Sequence, residues 1–238
     1  MKISINKTVE IKDLDQWFHV APPEGRLKQW KVGRSAMEMA RFALSNEFPK
    51  VIAKLLEECG LKESAFSCEP EALTNFENNM GKSGPRHHDL LMVGKDTIIG
   101  IEAKVSESFD KTINEKRKGA TENMNIRLNS CIEFLYENEP EAVEELYYQL
   151  LSATIGSVIE AQRQMKKNVI SLFIVFTGNI DAEKDYEKHI KDNDDAFRVF
   201  CSTFKLSEKG GKIPSIPKAP DINCWIKKIE INIGNYSY

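Results

Sequence analysis

No apolar run in this 238-residue sequence is long enough to cross a bilayer. The longest, Val169 to Phe176, falls far short of the roughly 20 residues that a membrane-spanning helix needs. The opening residues, Met1-Lys2-Ile3-Ser4-Ile5-Asn6, lack the apolar stretch and small-residue cleavage site of a secretory leader. Five cysteines stand at 59, 68, 131, 201 and 224 with no CxxC pair among them. That spacing gives neither a zinc knuckle nor a disulfide framework, and it reads as small buried hydrophobes in a reducing compartment. Neither charge sign dominates, with 33 Lys+Arg against 36 Asp+Glu and a net charge of −3. Attachment to nucleic acid by bulk charge is thereby excluded, and only a local basic patch remains open. Repeats and low-complexity tracts are also missing. The expectation is a single domain over residues 1–238, cytoplasmic and not membrane-bound, with 41% hydrophobic residues to build its core.

What is present is patterned. Ser35-Ala36-Met37-Glu38 fits a capping box, and Ala36, Ala40, Ala43 and Leu44 follow at helical spacing. A second helix runs from about Pro49 to Cys59 and stops at Gly60. Residues 63–86 read as irregular, apart from a short strand near Ala65–Cys68. Asp89–Val93 and Thr97–Val105, joined by Gly94-Lys95-Asp96, read as a hairpin. A polar stretch and a helix over about Glu122–Glu137 follow. A long helix is predicted from Pro140 to near Asn168, with a buried stripe from Val143 to Met165. Its small residues Ser152, Ala153, Gly156 and Ser157 suit close packing on a sheet. The run Val169–Phe176 then reads as a central strand covered on both faces. A helix near Asp194–Phe204, a Gly210-Gly211 turn and a strand near Trp225–Ile231 complete the chain. The fold class is α/β (α+β), a central mixed β-sheet flanked by helices.

The chemistry concentrates in Gly84-Pro85-Arg86-His87-His88-Asp89 and in Glu102-Ala103-Lys104. Side chains two apart in a strand share a face, so Glu102 and Lys104 point one way while Ile101, Ala103 and Val105 feed a core. If the hairpin loop is Lys95-Asp96, Asp89 lies directly opposite Glu102; if it is Gly94-Lys95, Asp89 lies diagonal to it on the same face. Either register brings two carboxylates within roughly 5–8 Å. Like charges so placed need a divalent cation, the neighbouring Lys104 or a raised pKa in one acid. Mg²⁺ takes one or two carboxylates plus phosphate oxygens, and a lysine beside it can steady water or phosphate. In a metal-free protein, neutralising either acid is expected to relieve repulsion and stabilise slightly.

This arrangement resembles the PD-(D/E)xK nuclease superfamily, the restriction-endonuclease-like fold. Asp89 stands for the motif's Asp and Glu102-Ala103-Lys104 for its ExK, although His88 rather than a proline precedes Asp89. The predicted order αβββαβ over about residues 35–177 is that of its core, with a helical insertion at 106–139 and a C-terminal extension. The resemblance implies a metal-dependent nuclease that hydrolyses phosphodiester bonds in DNA. Asp89, Glu102 and Lys104 would be catalytic, and Mg²⁺ (or Mn²⁺) would be held by Asp89, Glu102 and Glu38. It also suggests Gln149 as a site residue on the second core helix. Arg86, His88 and Gln149 are the candidate nucleic-acid contacts, and a homodimer is compatible with this reading. The alternative is a catalytically inactive nucleic-acid-binding or interaction protein on the same fold.

Overall fold

The structure, a computed structural model, describes residues 2–5, 9–23, 26–76, 80, 84–105, 107–178 and 186–236. In chain order the elements are β1 (Lys2–Ile5), β2 (Val9–Glu10), α1 (Leu14–Val20), α2 (Ser35–Leu44), α3 (Glu47–Glu58), β3 (Ser67–Thr74), β4 (Arg86–Val93) and β5 (Thr97–Lys104). Then come α4 (Ile113–Arg117), α5 (Glu122–Leu135), α6 (Tyr148–Arg163), β6 (Asn168–Thr177), α7 (Tyr186–Thr203), β7 (Gly210–Lys212) and β8 (Asn223–Asn232). The strands make one mixed sheet in the order β2-β1-β3-β4-β5-β6-β8-β7. Parallel pairing on both sides of β6 buries Val169 to Phe176 on both faces, so the predicted central strand is central. One core packs α1, α2 and α3 against Ile99, Ile101 and Ala103. The other packs α4 to α7 against Ile98, Val169 and Phe173 on the opposite face. Among the described residues, no helix is long and apolar enough to cross a membrane.

The hairpin takes the tighter of the two registers. Val93 pairs with Ile98 and Leu90 with Ile101, and the Gly94 N–H donates to the Thr97 carbonyl at 2.8 Å. The loop proper is therefore Lys95-Asp96, and the same register continued would set Asp89 against Glu102. The ladder between β4 and β5 stops at Leu90, however, whereas β4 stays paired with β3 as far as Arg86.

The reason lies in a reversal shared by β3 and β4. Cys68, Leu90 and Met92 lie in the α2-side core, while Ala72, which strict alternation would put with Cys68, lies in the α6-side core. His88, two residues before Leu90, likewise sits against Gly100 and Gly156 on the α6 side. Both strands thus change face at Glu71, whose φ of 50° is left-handed, and at its neighbour Asp89. A kink in the shared ladder opens a gap between β4 and β5 at Asp89.

The structure corrects three of the predicted elements. The strand near Ala65–Cys68 is longer, Ser67–Thr74, because Pro70 and the left-handed Glu71 interrupt its pattern without ending it. The helix predicted over Pro140–Asn168 begins only at Tyr148, after a separate 3-10 turn at Val143–Glu145. It ends at Arg163, where Lys166 N–H bonds the Ala161 carbonyl at 2.8 Å and Met165 N–H the Gln162 carbonyl at 3.2 Å. In this Schellman-type closure Met165 takes the left-handed position usually given to glycine, so it is 89% exposed and not part of the stripe. The helix expected near Asp194 starts instead at Tyr186 and is the longest described, at 18 residues.

Close helix–sheet contact, expected from the small residues of α6, is present. A Cβ on Gly100 would stand 2.0 Å from Ser157 Oγ, which itself bonds the Ala153 carbonyl at 2.8 Å. Gly100→Ala should cost about 1–3 kcal/mol of stability. Adding Ser157→Ala should recover part of it, as read by thermal unfolding. An undiminished melting temperature in the single variant would contradict this packing.

Candidate active site

Glu102 is the centre of the arrangement. β5 presents it toward α6, where it is 3% exposed. Oε2 accepts from Arg86 Nη2 on β4. Oε1 accepts from Gln149 Nε2 in the first turn of α6 and lies 3.0 Å from Lys104 Nζ, two residues along the same strand. Gln149 is fixed at its other end, since its Oε1 accepts from the Asp110 N–H at 3.2 Å. Asp89 fills the gap where β4 leaves β5: its Oδ2 accepts the Ala103 N–H at 2.6 Å, a donor that the broken ladder leaves over. Four residues singled out from sequence, namely Asp89, Glu102, Lys104 and Gln149, therefore converge, and Arg86 joins them.

The electrostatics divide the two acids. Burial and then the Glu102 charge push the Asp89 carboxyl up to about 7. Burial also works to raise Glu102, but Arg86 and Lys104 outweigh it and hold the group below the ordinary glutamate range. Lys104 shows the mirror image, with burial favouring its neutral form and Glu102 and Asp89 overcoming that. Two neighbouring carboxyls pushed in opposite directions are the pattern of an acid–base pair.

His88 and Glu38 stand apart from this cluster. His88 is 1% exposed, and its Nε2 shares a hydrogen bond with Thr74 Oγ1 at 3.0 Å. Burial, followed by Arg86, lowers its pKa to about 3, so it is neutral. The expectation that it touches nucleic acid is corrected, because the strand reversal turns it inward against α6. Glu38 lies on the opposite side of the sheet, on α2. Its Oε1 accepts the Gly33 N–H at 2.9 Å and pairs with Arg41 at 3.4 Å, while Oε2 accepts from Tyr236 at 3.0 Å. No capping box forms, since Arg34 is the N-cap and Glu38 reaches back to Gly33 instead. The expected third metal ligand is thus committed elsewhere. Of the cations after β5, Lys116 pairs with Asp110 at 2.5 Å and Arg117 with Glu144 at 3.2 Å.

Among the described residues, no group of three or more His, Cys, Asp and Glu side chains comes together around a metal position. Two hard-oxygen donors, Asp89 and Glu102, remain at the gap. This pair fits Mg²⁺ or Mn²⁺, which accept one or two protein carboxylates and complete their shell with water and phosphate oxygens. Thr74 and Gly156 had no signal of their own as site residues in the sequence. Gly156 earns its place by size, because a Cβ there would stand 3.1 Å from Arg86 Cγ and 3.2 Å from His88 Cε1.

Residues 10–233 match a family described as a domain of unknown function, DUF6946. The chain belongs to that family. No curated protein and no solved structure matches it. The family carries no assigned activity, so the reading of the site rests on its own geometry.

Proposed function

We propose that this DUF6946 protein is a metal-dependent nuclease that hydrolyses phosphodiester bonds in nucleic acid, with DNA as the first substrate to test. The observation that carries the reading is the meeting of Asp89, Glu102 and Lys104 where β4 parts from β5, with Lys104 Nζ 3.0 Å from Glu102. In this reading Asp89 and Glu102 would hold Mg²⁺ or Mn²⁺, which lowers the pKa of bound water and neutralises charge on the phosphate. Lys104, kept protonated by the two acids, orients water or a phosphate oxygen. Gln149 holds Glu102 in place through its amide.

Purified protein should cut DNA with Mg²⁺ or Mn²⁺ and stop when EDTA is added. The measurement is cleavage across linear, circular, single-stranded and flap substrates, in DNA and in RNA. A panel left uncut with both metals, together with no heat-stabilisation by either, retires the enzyme.

One observation favours the alternative, a catalytically inactive binding or interaction protein. Arg86 and Lys104 already neutralise Glu102 without a metal. An uncut panel combined with DNA binding would select that reading.

A further inference from the structure

The Arg86 guanidinium occupies Glu102 Oε2, one of the two oxygens through which this acid could hold a metal ion. Nη2 bonds Oε2 directly, the side chain is 13% exposed, and Nε is buried with no hydrogen-bond partner among the described residues. A guanidinium offers five donors in a rigid fork, so this seat leaves it poorly satisfied. Its stem crosses α6 at Gly156, whose lack of a side chain makes room for it.

Without any metal, Glu102 already faces two cations, Arg86 at Oε2 and Lys104 at Oε1. Adding a divalent ion with Arg86 still in place would leave a positive excess in a largely buried site, where such an excess is costly. An arriving phosphate would remove part of that excess, and its oxygens match the fork of an arginine. We propose that Arg86 and the divalent metal compete for Glu102, so that metal binding releases Arg86 to the phosphate of the incoming strand. Arg86 is then a positioning residue that holds the empty site closed and a substrate contact in the loaded one. The inference rests on the metal-site reading of Asp89 and Glu102.

Competition and phosphate contact make predictions of opposite sign for one side chain. Arg86→Met keeps the stem and removes the charge. Mn²⁺ should bind this variant about tenfold more tightly than wild type in calorimetric titration. A cleavage-resistant phosphorothioate DNA duplex should bind it less tightly in the presence of Mn²⁺. Arg86→Lys keeps the charge and should stay near wild type in Mn²⁺ affinity. Unchanged or weaker Mn²⁺ binding by Arg86→Met overturns the inference and leaves the nuclease standing if wild type still cuts. Absence of Mn²⁺ binding by wild type and both variants removes the nuclease and the inference together. Should Arg86→Met not fold, the Arg86 Nε–H resonance of wild type decides the matter. Mg²⁺ should move it toward a solvent-averaged position, and a signal that stays put refutes the release.

Discussion

Glu102→Gln and Asp89→Asn are each expected to lower metal-dependent cleavage by at least ~10²-fold, the scale on which a preorganised charge-stabilising group acts. The loss should appear in the single-turnover rate at saturating Mg²⁺. Each substitution removes a charge that would hold the ion, so metal affinity should fall as well. Lys104→Ala should slow cleavage but spare the metal, because an ammonium is not a ligand. Its readout is therefore a fall in rate with no loss of Mn²⁺ affinity, since the group removed is a cation 3.0 Å from Glu102. Near-full activity in either acid variant would place the chemistry elsewhere in the chain.

The same two substitutions should act oppositely on stability, which revises the expectation that both would stabilise the metal-free protein. Glu102 is the shared partner of Arg86, Lys104 and Gln149. Glu102→Gln strips the counter-charge from two largely buried cations and should cost about 3–5 kcal/mol. Asp89 behaves differently because its carboxyl is pushed up to about 7 from an ordinary 3.8. Between those values the folded chain binds more protons than the unfolded one, so stability falls as pH rises through this window. The penalty is complete above about pH 7 and absent below the unfolded pKa of 3.8. Asp89→Asn should therefore raise the melting temperature at pH 8 and leave it nearly unchanged at pH 3.5, with EDTA present throughout. The gain should be on the order of 1–3 kcal/mol, since each pKa unit is worth about 1.4 kcal/mol and partial solvent access reduces it. A pH-independent difference between the two chains would mean that desolvation and the Glu102 charge do not hold the Asp89 carboxyl up.

Much of this site could be read from period-2 alternation in β5. Ile99, Ile101 and Ala103 alternate with the charged Glu102 and Lys104, and this set the face of the two charged residues before any coordinates. Residues Val169 to Phe176 declared their central place through a run rich in β-branched and aromatic residues. What alternation could not convey was its own reversal. Glu71 is not a glycine, so nothing in its residue type announces a left-handed backbone. Without that kink, His88 would be assigned to the wrong surface and Arg86 would not be seen to reach Glu102. Glu38 misled for a related reason. A glutamate three residues after a serine is a sound helix-start signal, and neither Gly33 nor Tyr236 could be recognised from sequence as its real partners. Local pattern carries local structure, while a contact between residues 38 and 236 depends on the assembled fold.

That contact also bears on how the chain matures during synthesis. Tyr236 is 6% exposed, packs on Phe42 and Phe176, and gives its hydroxyl to a carboxylate made 198 positions earlier. On the ribosome, α2 emerges with two partners of Glu38, Gly33 and Arg41, already made, but without the Tyr236 hydroxyl that completes the set. β6, likewise, waits for β8 to cover its second edge. The α2-side layer therefore cannot be completed until β8 and Tyr236 have been made, and the nascent chain carries unsealed apolar surface until then.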